Sequence, residues 1–204
     1  MTELADLAVI GGSGLYEMPG LRATREHNVV TPFGKTSAPI IVGTLEGQRV
    51  AFLARHGIGH HITPSEVPYL ANIYALKSLG VKRIVSISAC GSLQEEFAPG
   101  HIVIPNQLYD NTHKRARSFF GDGLVAHVSV ADPFCKDLSD QVEAAVSLAG
   151  GVAHRGGSFI TIEGPRFSTK AESKTYRTWG MSIIGMTASP EAFLAREAEI
   201  CYVD

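Results

Sequence analysis

Cysteine is scarce in this chain: three in 204 residues, at Cys90, Cys135 and Cys201, with no Cys-x-x-Cys pair. An odd count at wide spacings argues against a disulfide framework or a zinc site and suits a reducing compartment. A basic surplus is missing too. The formal net charge is −2, the pI is about 6.4, and Lys and Arg occur singly, so the field that gathers nucleic acid is not there. No run reaches the ~18 apolar residues of a membrane span. The opening Met1-Thr2-Glu3-Leu4-Ala5-Asp6 carries acids where a secretory signal carries bases. The expectation is a cytoplasmic protein with neither a nucleic-acid nor a membrane partner. Gly-x-Ser-x-Gly is absent, which weighs against a serine hydrolase. The dinucleotide fingerprint fails as well. In its best frame, from Gly12 through Gly14, Glu17 replaces the third glycine and would repel a pyrophosphate.

What is present suits one substantial core. The chain is 45% apolar and 19% charged, long enough for one domain and too short for two comfortable ones. Leu7-Ala8-Val9-Ile10 is an apolar run that stops at Gly11-Gly12-Ser13-Gly14, the pattern of a buried strand feeding a tight loop. Residues 40–45 and 50–54 flank Glu46-Gly47-Gln48-Arg49 and read as two strands joined by a turn. A helix is predicted from Pro68, at an opening position, to Leu79, with Gly80 as its stop, and a strand from Arg83 to Ser88. Further strands are expected at 101–105, 158–162 and 182–186, and helices at 138–149 and 169–179. Ser189-Pro190-Glu191 opens a helix to about Glu197, and residues 199–204 look like one more strand beginning. This alternation predicts an α/β layer fold with a largely parallel or mixed central sheet, whose polar loops at strand ends are where ligands bind. Tyr109 to Ala131 is the least regular stretch and the candidate for a mobile or interface-forming excursion.

The candidate chemistry sits in those strand-end loops. The glycine loop presents backbone N–H groups and the Ser13 hydroxyl to a small anion. Arg55 supplies a planar donor fork suited to phosphate oxygens, beside the His56 ring. Ser88 and Thr187 stand at predicted strand ends, where their hydroxyls can complete an anion cradle. Phe167, preceded by Gly164-Pro165-Arg166, lies between a strand and a helix and offers a ring face to a flat ligand. Taken singly, each feature has an ordinary structural reading: a tight turn, a solvated Arg, a capping His, two strand ends, a core ring. His60 and His61 invite a metal reading, but no carboxylate or cysteine pair accompanies them at ligand spacing. Cys90 has no activating arrangement in sequence and reads as a small packed residue.

Together the motifs are recognisable. Gly11-Gly12-Ser13-Gly14-Leu15, Thr31-Pro32-Phe33-Gly34-Lys35, Ala54-Arg55-His56-Gly57, Ser88-Ala89-Cys90-Gly91-Ser92, Asp132-Pro133-Phe134-Cys135 and Glu163-Gly164-Pro165-Arg166-Phe167-Ser168 form a dense set. On these residues the chain resembles the trimeric nucleoside phosphorylases, most closely the S-methyl-5′-thioadenosine phosphorylases, from Ala8 to Tyr202. The resemblance implies a three-layer α/β/α fold with a mixed central β-sheet. It implies attack of inorganic phosphate on the anomeric carbon while the purine leaves, catalysed by positioning and by stabilising charge on the base. By position, Ser13, Arg55, His56, Ser88, Ala89 and Thr187 match the phosphate cradle, Met186 the ribose contact and Phe167 the residue packing on the nucleoside. His127 matches a histidine that reaches the 5′ side of the pocket from a neighbouring subunit, so a homotrimer is expected. The implied partners are a small-molecule nucleoside and phosphate, with no metal or organic cofactor.

Ser168 bears on the base. A 6-oxopurine presents an N1–H donor and wants a carboxylate, whereas adenine presents a bare N1 acceptor that a carboxylate repels. Related 6-oxopurine enzymes have Glu at this point of the motif; Ser168 therefore favours a 6-aminopurine. The alternatives are a 6-oxopurine or methylthioinosine phosphorylase on the same scaffold, and a non-catalytic nucleoside- or phosphate-binding protein. Residues 1–204 are read as a single domain of this family, incomplete at its C-terminus. The family's base-reading acidic segment and closing helices fall beyond Asp204; if these 204 residues are the whole polypeptide, the expectation is that it keeps the phosphate cradle but binds or turns over nucleoside poorly.

Overall fold

A computed structural model describes residues 4–204; the acidic opening at Met1 to Glu3 lies outside the described residues. Strand β1 (Leu7–Gly11) is followed by β2 (Arg22–His27), a short hairpin of β3 (Val30–Thr31) and β4 (Gly34–Lys35), then β5 (Ile40–Leu45) and β6 (Gln48–Ala54). Next come helix α1 (Tyr69–Ser78), β7 (Arg83–Ile87), β8 (Gly91–Ser92), β9 (Ile102–Ile104) and β10 (Gln107–Asn111). The remainder is α2 (Lys136–Leu148), β11 (Ala153–Arg155), β12 (Ser158–Ile162), α3 (Lys170–Thr178), β13 (Ile183–Gly185), α4 (Ala188–Glu197) and β14 (Cys201–Val203).

Parallel and antiparallel pairs both occur, divided over two main sheets. The six-stranded sheet runs β14-β7-β1-β6-β5-β2, with β14, β7, β1 and β6 parallel and the last two strands antiparallel to their neighbours. The four-stranded sheet runs β10-β12-β13-β8, parallel but for β8. Residues 88–90 cross from β7 of the first sheet to β8 of the second, which brings the two sheets to one cleft.

Local chemistry explains the elements. Glu46 and Gly47 both take positive φ, 45° and 80°, in the two-residue turn that sets Leu45 opposite Gln48. Helix α1 has no Gly or Pro inside it and ends where Gly80 takes φ 93°, its N–H bonding the Lys77 carbonyl at 3.0 Å. Pro68 is the N-cap of α1, one place earlier than a first-turn proline. The core joins Ile10, Leu53, Ile84, Ile73, Leu76 and Leu194, all 0% exposed, from both layers. Each such side chain contributes roughly 1.5–3 kcal/mol by burial.

Several sequence readings need correction. Cys135 and Cys201 are joined in a disulfide, with Cα atoms 5.3 Å apart. Cys135 caps α2 and its N–H donates to the Tyr202 carbonyl at 2.8 Å, which lays it against β14; a separation of 66 residues hides this proximity from the sequence. The argument from cysteine usage for a reducing compartment falls with it. Cys90 is exposed on the rim of a cleft rather than packed in the core. The stretch from Tyr109 begins inside β10 and becomes irregular after Asn111. Among the described residues, no helix is long and apolar enough to cross a membrane.

Candidate active site

The strand register builds the site. Gly11, the last residue of β1, pairs with Ala54 of β6 on one side and Ile87 of β7 on the other. The glycine loop, Arg55-His56 and Ser88-Ala89 therefore leave three adjacent parallel strands at one level, the edge where open α/β sheets bind ligands. The Gly12 N–H donates to the Ile87 carbonyl and the Arg55 N–H to the Gly11 carbonyl, both at 2.9 Å. A Cβ on Gly12 would lie 2.4 Å from the Ile87 oxygen and 2.8 Å from Arg55 Nη1, so only glycine permits this approach.

These loops form one wall of a cleft of about 740 Å³, with Ser13, Arg55, His56, Ser88 and Ala89 along it. The opposite wall carries Phe167 and Ser168 from the β12–α3 connection and Met186 and Thr187 from the end of β13. His127 is the one expected residue not brought there; it is exposed on the irregular segment after β10. A larger groove of about 1160 Å³ runs past the disulfide, but it gathers none of the expected residues. Its size does not make it the site, because chemistry follows the convergent polar groups.

Arg55 is 1% exposed, and its fork is already engaged. Nε and Nη2 donate to the two carboxylate oxygens of Glu191 at 2.9 and 3.1 Å, and Nη2 also donates to Ser86 Oγ at 2.5 Å. Nη1 has only long contacts, 3.4 Å to both the Ile87 carbonyl and Ser88 Oγ, and is the arm presented toward the cleft. Burial works against its charge, but Glu191 holds the guanidinium above its ordinary pKa. Tyr202 donates to Glu191 at 2.9 Å and Ser86 donates to Asp204 at 3.0 Å, completing a buried network. Burial pushes the Asp204 carboxyl up to about 6, with Arg55 pulling the other way. His56 is buried, and its Nδ1–H donates to the Ile62 carbonyl at 2.9 Å, leaving Nε2 as its free nitrogen. Burial lowers its pKa against the pull of the Ile62 hydrogen bond, and the neighbouring Arg55 charge adds to the depression. Ser88 and Thr187 hydroxyls meet across the cleft floor at 3.4 Å, and Ala89 has only its backbone N–H to offer an anion.

The other wall is fixed by different groups. Phe167 is 85% exposed, its ring uncovered at the mouth. Arg166 pairs with Glu172 at 2.7 and 2.8 Å, and Glu172 also closes the capping box on Thr169 that starts α3. Ser168 Oγ meets Ser173 Oγ at 2.8 Å, so hydroxyls rather than a carboxylate stand at this end. Burial would raise the Glu163 carboxyl, but donation from Ser65 and from the His113 and Lys114 backbone, with Arg115 near, holds it at about 2. The Cys90 sulfur lies toward Gly185.

With this geometry in hand, the relatives are informative. A model of the phosphorylase superfamily matches residues 6–203. The chain belongs to the phosphorylase superfamily. A curated relative, the S-methyl-5′-thioadenosine phosphorylase of Geobacter sulfurreducens, is 58% identical over 197 residues, 96% of this chain and 69% of the relative. That of Koribacter versatilis is 55% identical over 199 residues, covering 98% and 68%. Among solved structures, a methylthioadenosine phosphorylase from an Antarctic soil metagenomic library matches with a TM-score of 0.95 at 54% identity, over 99% of this chain and 71% of that one. The Schistosoma mansoni methylthioadenosine phosphorylase in complex with adenine gives 0.94 at 37% identity, covering 98% and 79%.

In this superfamily member several site residues escaped the sequence reading. Glu191 reads as a first-turn helix acid, yet it is 0% exposed and clamps Arg55. Its signal was there: a lone acid leading an Ala192-Phe193-Leu194 run is a poor candidate for a solvated face. Arg115 sits behind the second wall with no local pattern to mark it, and Glu163 beside it was marked only as the opening of a motif, with no role of its own.

Proposed function

We propose that this protein cleaves S-methyl-5′-thioadenosine with inorganic phosphate, giving adenine and 5-methylthioribose 1-phosphate in purine and methionine salvage. The observation that carries the reading is the convergence of Arg55-His56, the glycine loop and Ser88-Ala89 on one wall, opposite Phe167, Ser168 and Met186 on the other. One wall suits an anion and the other a nucleoside. The hydroxyls of Ser13, Ser88 and Thr187, the Ala89 N–H and Arg55 Nη1 hold the phosphate oxygens. A phosphate oxygen forms the new bond to the anomeric carbon as the bond to the purine breaks. The purine takes that electron pair, and the proton carried by hydrogen phosphate ends on adenine. Met186 meets the ribose and Phe167 packs on the nucleoside. Ser168 leaves adenine N1 without a repelling carboxylate. The site closes in a homotrimer, with His127 of a neighbouring copy completing the 5′ side. Phosphate is a co-substrate, and no metal or organic cofactor enters the reaction. A cytoplasmic location belongs to the same reading.

Incubation of the protein with methylthioadenosine, with and without phosphate, tests this. Adenine release that requires phosphate and yields a sugar phosphate by ³¹P NMR is expected. Adenine release independent of phosphate would mean a hydrolase, and binding without release a non-catalytic protein; either contradicts the reading.

A further inference from the structure

Arg115 stands on the irregular segment after β10, yet its side chain is 1% exposed. Its Nη1 donates to the Met186 carbonyl at 2.6 Å, the Ser189 carbonyl at 2.7 Å and Tyr69 Oη at 3.2 Å. Its Nη2 donates to the Glu163 carbonyl at 2.8 Å, and Nε lies 3.5 Å from the Glu163 carboxylate. The main-chain acceptors belong to the exits of two neighbouring parallel strands. Glu163 follows β12, and Met186 and Ser189 belong to the turn from β13 into α4, where Ser189 is extended at φ −101° and ψ 135°. The Glu163 and Met186 carbonyls fall past the last paired residues of β12 and β13 and must be satisfied outside the ladder; that of Glu163 also accepts from Ser65 Oγ at 3.2 Å. The two exits also touch: a Cβ on Gly164, at φ 67°, would lie 2.6 Å from Met186 Sδ. Arg115 itself does not line the cleft, whereas Met186 and the loop that continues to Phe167 and Ser168 do.

We propose that Arg115 is a positioning residue for nucleoside binding, holding the Glu163 and Met186–Ser189 backbones so that Met186, Phe167 and Ser168 face the substrate; this rests on the function read above. A planar fork with five donors satisfies three carbonyls in different directions, which a Lys ammonium on a flexible stem does less well. The phosphate wall depends on it less, because Ser13, Arg55, His56 and Ser88 issue from other strands and Thr187 alone of the phosphate set lies on the segment that Arg115 holds. A purely structural role would lower stability without separating the two substrates.

The test uses the full chain carrying Arg115→Met and Arg115→Lys, with KM measured for methylthioadenosine and for phosphate. The expected result is a tenfold or greater rise in nucleoside KM for Arg115→Met, a smaller rise for Arg115→Lys, and phosphate KM within threefold of the parent. If Arg115→Met does not fold, Arg115→Lys decides, with an expected rise of about threefold in nucleoside KM alone. Equal rises in both constants, or a lowered melting temperature with unchanged constants, would overturn the proposal. Should the parent protein release no adenine, the functional reading fails by itself. The same comparison is then made by calorimetry with methylthioadenosine and phosphate separately, where an equal loss of both affinities, or none, overturns the role of Arg115.

Discussion

Arg55 and Glu191 are each about 1% exposed on their side chains, and neither has water to replace a lost partner. Breaking a buried ion pair from one side leaves an uncompensated charge and costs about 3–5 kcal/mol. Glu191→Gln is expected to destabilise by about that amount in urea unfolding; a loss under about 1 kcal/mol would mean that Arg55 finds another carboxylate. Asp204 is the group available, and it carries a testable sign. Its folded pKa is about 6 against an ordinary 3.8, so the folded state disfavours its charged form. That cost is fully present above about pH 6 and is relieved as the pH falls through 6 toward 3.8. Asp204→Asn is therefore expected to stabilise the protein at pH 8 by at most about 3 kcal/mol, with the gain vanishing near pH 4. A variant less stable than the parent at pH 8 would contradict this.

The elements that were legible in the sequence are those whose signals are local. β1, β5, β6 and β12 are apolar runs bounded by Gly or turn residues, and α1 and α3 have stops at Gly80 and Gly180. The candidate site was legible for the same reason, since the conspicuous loops follow directly on those strands and the register lines them up. Apart from the burial of Glu191, what was missed lacked local marking. β2 is Arg-Ala-Thr-Arg-Glu-His, almost wholly exposed at the sheet edge, so it shows no apolar alternation. β10 carries Gln, Asp and Asn, with Leu108 packed against the core, and gains its place as a strand by pairing with β12. The Arg55–Glu191 pair spans 136 residues and the Cys135–Cys201 bond 66, distances at which nothing in composition or periodicity points to a partner.

At the scale of the whole molecule, two sheets meet at one cleft through the 88–90 crossing, and each supplies one wall. The irregular segment after β10 does two things there. Arg115 plugs back into the fold, and His127, twelve residues later, is left exposed. On the trimer reading, sedimentation gives three times the monomer mass, and His127→Ala lowers nucleoside turnover while leaving that mass and the melting temperature unchanged. A fully active monomer would remove both claims. The central claim is phosphate-dependent cleavage of a 6-aminopurine thionucleoside, and competition between bases tests it most directly. The protein is incubated with equimolar methylthioadenosine and inosine at saturating phosphate, and free bases are separated by chromatography. Adenine alone, absent when phosphate is withheld, is the predicted result; hypoxanthine as the main product, or no base at all, would contradict it.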